Sequence, residues 1–208
     1  IRIEPGAGGA ALFARNPDAP GYSDAVAFAS GWPTAKDAES FVTADRASFL
    51  GPCGDPARPA ALREQPVLDG HAGTGIDPCF ARQLRVALLP RASIEIWFVL
   101  GEGKDAREAE ALVRKYARFD AVAAAEEEVR SFWRRDLARL RVESPDPGLD
   151  VLLNGWLPYQ ALACRLWARS ALYQSGGAFG YRDQLQDAAA WIYLRPGLTR
   201  TQILLHAA

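Results

Sequence analysis

The amino-acid sequence contains few of the residues that build metal sites. It has no methionine, three cysteines and two histidines among its 208 residues. The cysteines form no Cys-x-x-Cys pair, and His71 and His206 lie far apart, so the spacing predicts no zinc site. We therefore expect Cys53, Cys79 and Cys164 to be reduced thiols in a cytoplasmic setting.

Strong net charge and long apolar runs are also absent. The formal net charge is −1, without the basic surplus of a typical nucleic-acid-binding protein. No apolar run approaches the roughly 20 residues that a transmembrane helix needs, and the N-terminus has no signal-peptide pattern. Because 49% of the residues are hydrophobic, the chain is expected to fold around a buried core.

Both ends of the chain indicate a fragment of a longer protein. The sequence starts at Ile1 rather than at a methionine. Residues 203–208 continue an apolar helical pattern, and no glycine, asparagine or proline follows to end it. We therefore expect further chain beyond Ala208.

The first hundred residues carry the patterns of β-strands and turns. Short apolar segments at 10–14 and 25–29 flank the turn-forming sequence Asn-Pro-Asp-Ala-Pro-Gly. A segment rich in glycine and proline, residues 49–75, predicts a long loop, and such loops are often functional or border another domain.

Residues 81–89 and 93–100 show the clearest strand pattern. Apolar residues alternate with other residues in both segments, and a Pro-Arg-Ala sequence separates them. This arrangement predicts an antiparallel hairpin with one buried face, and Ile94, Ile96, Phe98 and Leu100 would share one face of its second strand.

The remainder of the chain has helical periodicity. Apolar residues recur at three- and four-residue steps over 104–142, as in amphipathic helices. The sequence Ser-Pro-Asp-Pro-Gly at 144–148 interrupts this pattern. Further helices are predicted over residues 150–174, over 181–194 and from 198 onward.

A dense polar cluster marks the start of the helix predicted over residues 181–194. It comprises Arg182, Asp183, Gln184, Gln186 and Asp187, directly after Tyr181. Helix capping and the helix dipole explain one of these side chains, Asp183. Acid, amide and guanidinium groups can form paired hydrogen bonds with sugar hydroxyls, while aromatic rings cover the apolar face of a sugar. The cluster therefore indicates a sugar site, with capping and solvation as the equally weighted alternative.

Other chemistries fit this cluster less well. The glycine-rich turn at 176–180 lacks the Gly-Lys-Ser/Thr ending of a phosphate-binding loop. Glycosidase carboxylates face each other across the scissile bond, roughly 5–10 Å apart. Asp183 and Asp187 lie four residues apart on one predicted helix, so they are better suited to binding a sugar from one side.

The helix that precedes this cluster contains residues with two possible roles. Three aromatic residues have helical spacing and are more often core than sugar platform: Trp156, Tyr159 and Trp167. Arg165 and Arg169, four residues apart, fit either a salt-bridged helix face or a role near the site.

The motifs of the second half resemble glycoside hydrolase family 94, the inverting glycoside phosphorylases formerly called glycosyltransferase family 36. The matching stretches are residues 154–160 (Asn-Gly-Trp-Leu-Pro-Tyr-Gln), 164–170, 173–187 and the terminal His-Ala-Ala. Residues 45–51 and 75–79 resemble the β-domain of the cyclic β-1,2-glucan synthase branch. The resemblance covers most of the chain and is weakest before about residue 40.

The resemblance implies an α+β fragment with three parts. Residues 1–103 would form the C-terminal part of a β-sandwich domain and residues 104–143 a helical linker. Residues 144–208 would supply the first helices of a truncated (α/α)6 catalytic barrel.

The resemblance also implies inverting phosphorolysis of β-glucans by the parent protein. An Asp general acid, located in this family beyond the position of Ala208, protonates the glycosidic oxygen while phosphate attacks C1 from the opposite face. Inorganic phosphate is the co-substrate, and no metal or organic cofactor is implied. The fragment alone is expected to be inactive, and the alternative is a non-catalytic module that binds or scaffolds glucan.

The resemblance assigns substrate contacts to residues of the polar cluster. Arg182 and Asp187 match the family residues that hold the glucosyl unit in the −1 subsite. Asp183 and Gln186 are expected to bind substrate, to orient a neighbour or to cap the helix, and Tyr181 completes the set. The expected partners are a β-glucan oligosaccharide and phosphate, without nucleic acid. The expected location is the cytoplasm, at the inner membrane if the parent is a glucan synthase.

Overall fold

A computed structural model of the chain describes residues 1–6, 11–52, 54–63, 67–168 and 181–207. The chain divides into two units, Ile1–Ala124 and Ala125–Ala208. In the described residues all strands lie in the first unit, and the second unit consists of helices and their connections. This order of strands followed by helices confirms the α+β class, while the closed barrel stays a prediction.

The first unit contains two antiparallel sheets. Its strands are β1 (Arg2–Pro5), β2 (Ala11–Arg15), β3 (Val26–Pro33), β4 (Glu39–Asp45), β5 (Pro78–Arg85) and β6 (Ile96–Gly103). Four strands form one sheet in the order β1-β2-β3-β6, and β4 pairs with β5 in the other. Strands β2 and β3 pair across the Asn-Pro-Asp-Ala-Pro-Gly turn, with Phe13 opposite Phe28.

The predicted hairpin of residues 81–100 is wrong, although residues 81–85 and 96–100 of the two predicted segments lie in strands. Strand β5 pairs with β4, whereas β6 pairs with β3 in the larger sheet. Residues 86–95 separate β5 from β6, and this connection is longer than the roughly two to five residues of a common hairpin loop. Alternation identified the two strands, but their partners come from distant parts of the chain.

The buried face predicted for β6 is also wrong. Ile96, Phe98 and Leu100 are 42%, 65% and 77% exposed. Val99, on the opposite face, packs against the core of the first unit instead. On the same face the Trp97 indole Nε1 donates a hydrogen bond of 2.8 Å to the carbonyl of Tyr116. Because side chains alternate along a strand, Ile96, Phe98 and Leu100 lie on the face of β6 that is turned away from Val99 and Trp97.

Helix α2 provides the cover for this sheet. The helices of the first unit are α1 (Arg46–Leu50), α2 (Ala106–Tyr116) and the beginning of α3 (Phe119–Leu137). The Asp105 carboxylate caps α2 by accepting a 2.8 Å hydrogen bond from the Glu108 backbone N–H. Ala109 and Val113, one helical turn apart, are buried with Val26 and Phe28 of the sheet. The amphipathic helix predicted from residue 104 is therefore confirmed.

The segment predicted as a loop, residues 49–75, contains little regular structure in its described residues. It holds the end of α1 and a short 3-10 turn at Ala60–Leu62. Its last part lies beside the larger sheet, where the Ile3 backbone N–H donates to the Gly73 carbonyl at 3.0 Å.

The second unit contains the rest of α3 and a series of helices that follows it. They are α4 (Pro147–Val151), a wider π-type segment (Leu152–Trp156), α5 (Leu157–Gln160), a second π-type segment (Ala161–Trp167), α6 (Tyr181–Ala189) and α7 (Pro196–Ala207). The break predicted at 144–148 is confirmed, since Asp146 caps α4 and Pro147 occupies its first turn. The glycine-rich turn at 176–180 lies outside the described residues.

The helix predicted over residues 181–194 ends earlier than expected. Helix α6 ends at Ala189, and residues 190–194 form turns that close with a 2.7 Å hydrogen bond from Arg195 N–H to the Trp191 carbonyl. Trp191 is fully buried in a cluster with Leu162 and Leu166. The buried Trp191 side chain therefore lies in the turns, where the periodicity of the sequence predicted a continuous helix.

Within the described ranges, no helix combines the length and the apolarity needed to cross a lipid bilayer.

Candidate functional site

The five side chains predicted to contact substrate all lie on α6, but they point to different sides of it. They are Tyr181, Arg182, Asp183, Gln186 and Asp187. At about 100° per residue, Arg182 and Asp187 are roughly 140° apart around the helix axis. Arg182 and Gln186 share the exposed side, whereas Asp187 borders the buried side that carries Ala188.

Arg182 and Asp183 form an exposed ion pair with each other. Nε and Nη2 of Arg182 donate to the same oxygen, Oδ1 of Asp183, at 3.2 and 3.0 Å. The Arg182 side chain is 87% exposed, so water and salt screen this pair and it contributes little to stability. Both groups remain accessible to a ligand.

Asp187 is held by an arginine from a different helical segment. Nε of Arg165 donates to Oδ2 of Asp187 at 2.7 Å, and the two side chains are 20% and 26% exposed. Arg165 belongs to the π-type segment Ala161–Trp167, whose Leu162 and Leu166 are buried. Of the two roles left open for Arg165, the structure favours one near Asp187; Arg169 lies outside the described residues.

Gln184 has a different environment from its polar neighbours. It is 3% exposed and faces the interior, one turn before the buried Ala188. The Ala188 carbonyl accepts a 2.9 Å hydrogen bond from the hydroxyl of Thr199 on α7. This side of α6 therefore attaches the helix to the core, while the other sides carry the candidate ligands.

The aromatic residues before α6 form a partly exposed cluster. Trp156, Tyr159 and Trp167 are 53%, 38% and 55% exposed. Trp156 stacks on Tyr159 with ring centroids 5.9 Å apart, and Tyr159 contacts Trp133 at 4.9 Å. The cluster is thus anchored at Trp133 and open at Trp156.

Tyr181 stands at the first position of α6. Its ring is 64% exposed and lies edge-on to the His206 imidazole of α7, with centroids 6.3 Å apart. This contact places the motif of residues 173–187 beside the terminal His-Ala-Ala motif.

A buried carboxylate with three arginines lies at the end of α3. Asp136, 1% exposed, accepts a 3.3 Å hydrogen bond at Oδ1 from Nε of Arg139. Its Oδ2 lies 3.1 Å from Nη1 of Arg195. The two groups form an ion pair at this distance, but their geometry is not that of a hydrogen bond. Nε of Arg135 is 3.9 Å from Oδ1. The sequence does not distinguish this residue, since a single Asp in a charged helix carries no characteristic pattern.

Polar groups of the first unit gather around His71. Nδ1 of His71 lies 3.3 Å from Oδ2 of Asp45, and its backbone N–H donates to Oδ1 of Asp69 at 3.0 Å. Burial acts to raise the pKa of Asp69, but hydrogen bonds from His71, Ser48 and Thr43 outweigh it and lower the pKa. These contacts hold the loop at residues 69–71 in place.

The described residues contain no group of three or more His, Cys, Asp or Glu side chains arranged to hold a metal ion. Cys79 is a free thiol, and burial raises its pKa, which lowers the thiolate fraction at neutral pH. Cys53 lies outside the described residues.

Comparison with known families connects both halves of the chain to one family. The sequence model of the glycosyl hydrolase 94 supersandwich domain matches residues 1–119. The model of the glycosyl hydrolase 94 superfamily catalytic domain matches residues 132–208, which include α6 and Arg165.

Three curated relatives have related sequences. The chain is 39% identical over 166 residues to cyclic beta-(1,2)-glucan synthase NdvB of Rhizobium meliloti, an alignment that covers 80% of the chain and 6% of that protein. It is 33% identical over 171 residues to N,N'-diacetylchitobiose phosphorylase of Vibrio furnissii, covering 81% of the chain and 21% of the enzyme. It is 27% identical over 146 residues to cellobionic acid phosphorylase of Neurospora crassa, covering 70% and 18%. The chain thus spans about a fifth or less of each relative.

Proposed function

The chain belongs to glycosyl hydrolase family 94, and from this premise we propose that it is part of an enzyme that cleaves β-glucans by inverting phosphorolysis. The relatives named as phosphorylases and as a glucan synthase support a carbohydrate-active parent. The glucan synthase similarity, 39% identity over 80% of the chain, favours a β-1,2-linked glucan as substrate.

The proposed reaction exchanges a glycosidic bond for a phosphate ester. An Asp carboxylic acid outside this chain protonates the glycosidic oxygen, the bond from C1 to that oxygen breaks, and a phosphate oxygen bonds to C1 from the opposite face. The products are α-glucose 1-phosphate and a glucan shortened by one unit. Phosphate already carries negative charge, so the mechanism requires no general base.

The contribution that we assign to this chain is sugar binding at the −1 subsite. We propose that Asp187 and Arg182 hydrogen-bond the glucosyl hydroxyls, and that Asp183, Gln186 and Tyr181 complete the contacts. The observation that carries this proposal is the partly buried Asp187 carboxylate, fixed by Arg165 at 2.7 Å on the helix with the densest polar sequence. A preorganised acceptor of this kind suits a ligand with several hydroxyl groups.

We also propose the three-part organisation as a division of labour. Residues 1–103 would form the C-terminal part of the β-sandwich domain, residues 104–143 would be the helical linker, and residues 144–208 would begin the catalytic barrel. The free thiol of Cys79 fits a reducing compartment, so we assign the reaction to the cytoplasm.

The alternative function is a glucan-binding or scaffolding module without turnover. The exposed aromatic cluster at Trp156 and Tyr159 favours this alternative, because such rings also bind sugars in non-catalytic modules. The two functions differ in whether phosphate is consumed.

The proposal is tested with the intact protein that contains this chain. The protein is incubated with linear β-1,2-glucan and inorganic phosphate, and glucose 1-phosphate is measured in a coupled assay. We expect turnover by the wild type, a loss of at least about tenfold in Asp187→Asn and Arg182→Met, and no change in Arg200→Met, an exposed arginine on α7. Glucan binding without phosphate consumption would support the scaffolding alternative, and neither binding nor turnover would refute both.

A further inference from the structure

The ion pair between Arg165 and Asp187 differs from the surface arginine–carboxylate pairs within single helices. The pairs Arg114–Glu110 and Arg130–Glu126 join residues one turn apart on one helix, and their side chains are more than half exposed. The Arg165–Asp187 pair spans 22 positions of the sequence, joins two helical segments and is largely shielded from solvent. Shielding strengthens the interaction and defines its geometry more closely than at a surface pair.

The backbones on both sides of this pair are held by the core. Leu162 and Leu166 flank Arg165, Ala188 follows Asp187, and all three side chains belong to one buried cluster. With the backbones fixed, the hydrogen bond to Oδ2 restricts the remaining rotations of the Asp187 carboxylate. It leaves Oδ1, which accepts no hydrogen bond from any other residue in the described ranges.

We propose that Arg165 is a positioning residue, which orients the Asp187 carboxylate so that Oδ1 accepts a hydrogen bond from a sugar hydroxyl. The inference rests on the proposed function, because it requires Asp187 to bind sugar. It adds a residue that does not itself touch the substrate. Partners of this kind lock the conformation of the group that does the binding, and their loss weakens the site without removing the ligand group.

A double-mutant cycle separates positioning from a merely structural role. In the intact protein, Arg165→Met is expected to reduce kcat/KM for β-glucan phosphorolysis about ten- to a hundredfold, the usual effect of losing a hydrogen bond to a charged group. Arg165→Lys keeps the charge but not the planar donor geometry, so it is expected to recover part of the loss. Arg200→Met is the matched control and is expected to equal the wild type.

The decisive comparison is made in the background of Asp187→Asn. If Arg165 acts through Asp187, adding Arg165→Met to Asp187→Asn lowers kcat/KM by less than about threefold more. If Arg165 had only a structural role, Arg165→Met would lower kcat/KM by the same factor in both backgrounds. Arg165→Lys would then restore kcat/KM only as far as it restores the melting temperature. Either result would overturn the inference.

The outcomes separate this inference from the proposed function. If the wild type phosphorolyses glucan but Arg165→Met and Arg165→Lys both match it, the inference fails and the proposed function stands. If the wild type binds β-1,2-glucan oligosaccharides without turnover, the proposed catalytic function is refuted. The same double-mutant cycle, measured as Kd by titration calorimetry, then tests whether Arg165 positions Asp187. If the wild type neither binds nor cleaves glucan, both proposals fail.

Discussion

Replacing Asp136 by asparagine is expected to destabilise the helical unit far more than the equivalent change at an exposed carboxylate of the same helix. The Asp136 side chain is 2% exposed and faces guanidinium groups of Arg135, Arg139 and Arg195. Glu126, also on α3, accepts from Arg130 but is 61% exposed. The two substitutions remove the same charge with almost no change of shape, so they differ in burial and in the number of arginine partners.

The magnitude follows from what each carboxylate loses. Hydrogen bonds to charged groups contribute about 1.5–3 kcal/mol, and breaking a fully buried ion pair costs about 3–5 kcal/mol. Arg139 and Arg195 are 45% and 35% exposed, so water recovers part of their solvation when the charge is removed. We therefore expect about 2 kcal/mol for Asp136→Asn and about 0.5 kcal/mol or less for Glu126→Gln.

Thermal and urea unfolding, followed by circular dichroism at 222 nm, measure both variants against the wild type. For a unit of this size, a loss of 2 kcal/mol corresponds to a decrease of roughly 10 °C in Tm. Equal effects of the two substitutions, or a loss below about 0.5 kcal/mol for Asp136→Asn, would refute the reasoning from burial.

Further predictions concern backbone space and titration. Gly103→Ala is expected to cost about 1–3 kcal/mol, because a Cβ there would lie 2.4 Å from the backbone nitrogen of Ala109. Gly155→Ala meets nothing within 4 Å and is expected to be neutral or to stabilise by up to about 1 kcal/mol; urea denaturation that ranks the two variants in the opposite order would contradict this. Because burial raises the pKa of Cys79, its reaction with a disulfide reagent at pH 7 should be slower than that of glutathione and should accelerate with rising pH; a rate equal to that of glutathione would contradict this. Because the folded-state pKa of Asp69 is lowered, its stabilisation is present above an unfolded value of about 3.9 and is lost as the pH falls through the folded pKa. Asp69→Asn should therefore weaken the dependence of stability on pH below about 5, and unchanged acid unfolding would count against it.

The strands of the first unit illustrate what periodicity can predict. Alternation located β5 and β6 because it reports that a segment has two unlike faces. It carries no information on the partner strand, and β6 pairs with β3, some seventy positions earlier, rather than with its neighbour β5. Alternation also does not show which face of β6 is covered. Helix α2 packs on the side of Val99.

In the candidate site, too, the sequence predicts some features and not others. The polar sequence of residues 182–187 was recognisable because so many hydrogen-bonding side chains occur together. The burial of Gln184 and the partner of Asp187 were not recognisable, since both depend on which side of α6 meets the core. The π-type segments add to the difficulty, because their wider turns shift side chains away from the 3.6-residue period.

The most direct test of the central claim is the anomeric configuration of the product, observed by proton and phosphorus NMR. The intact protein is incubated with linear β-1,2-glucan and inorganic phosphate, and the spectra are followed from the first turnovers. Inverting phosphorolysis predicts α-glucose 1-phosphate in step with shortening of the glucan. Formation of β-glucose 1-phosphate, or release of free glucose without phosphate consumption, would contradict the account.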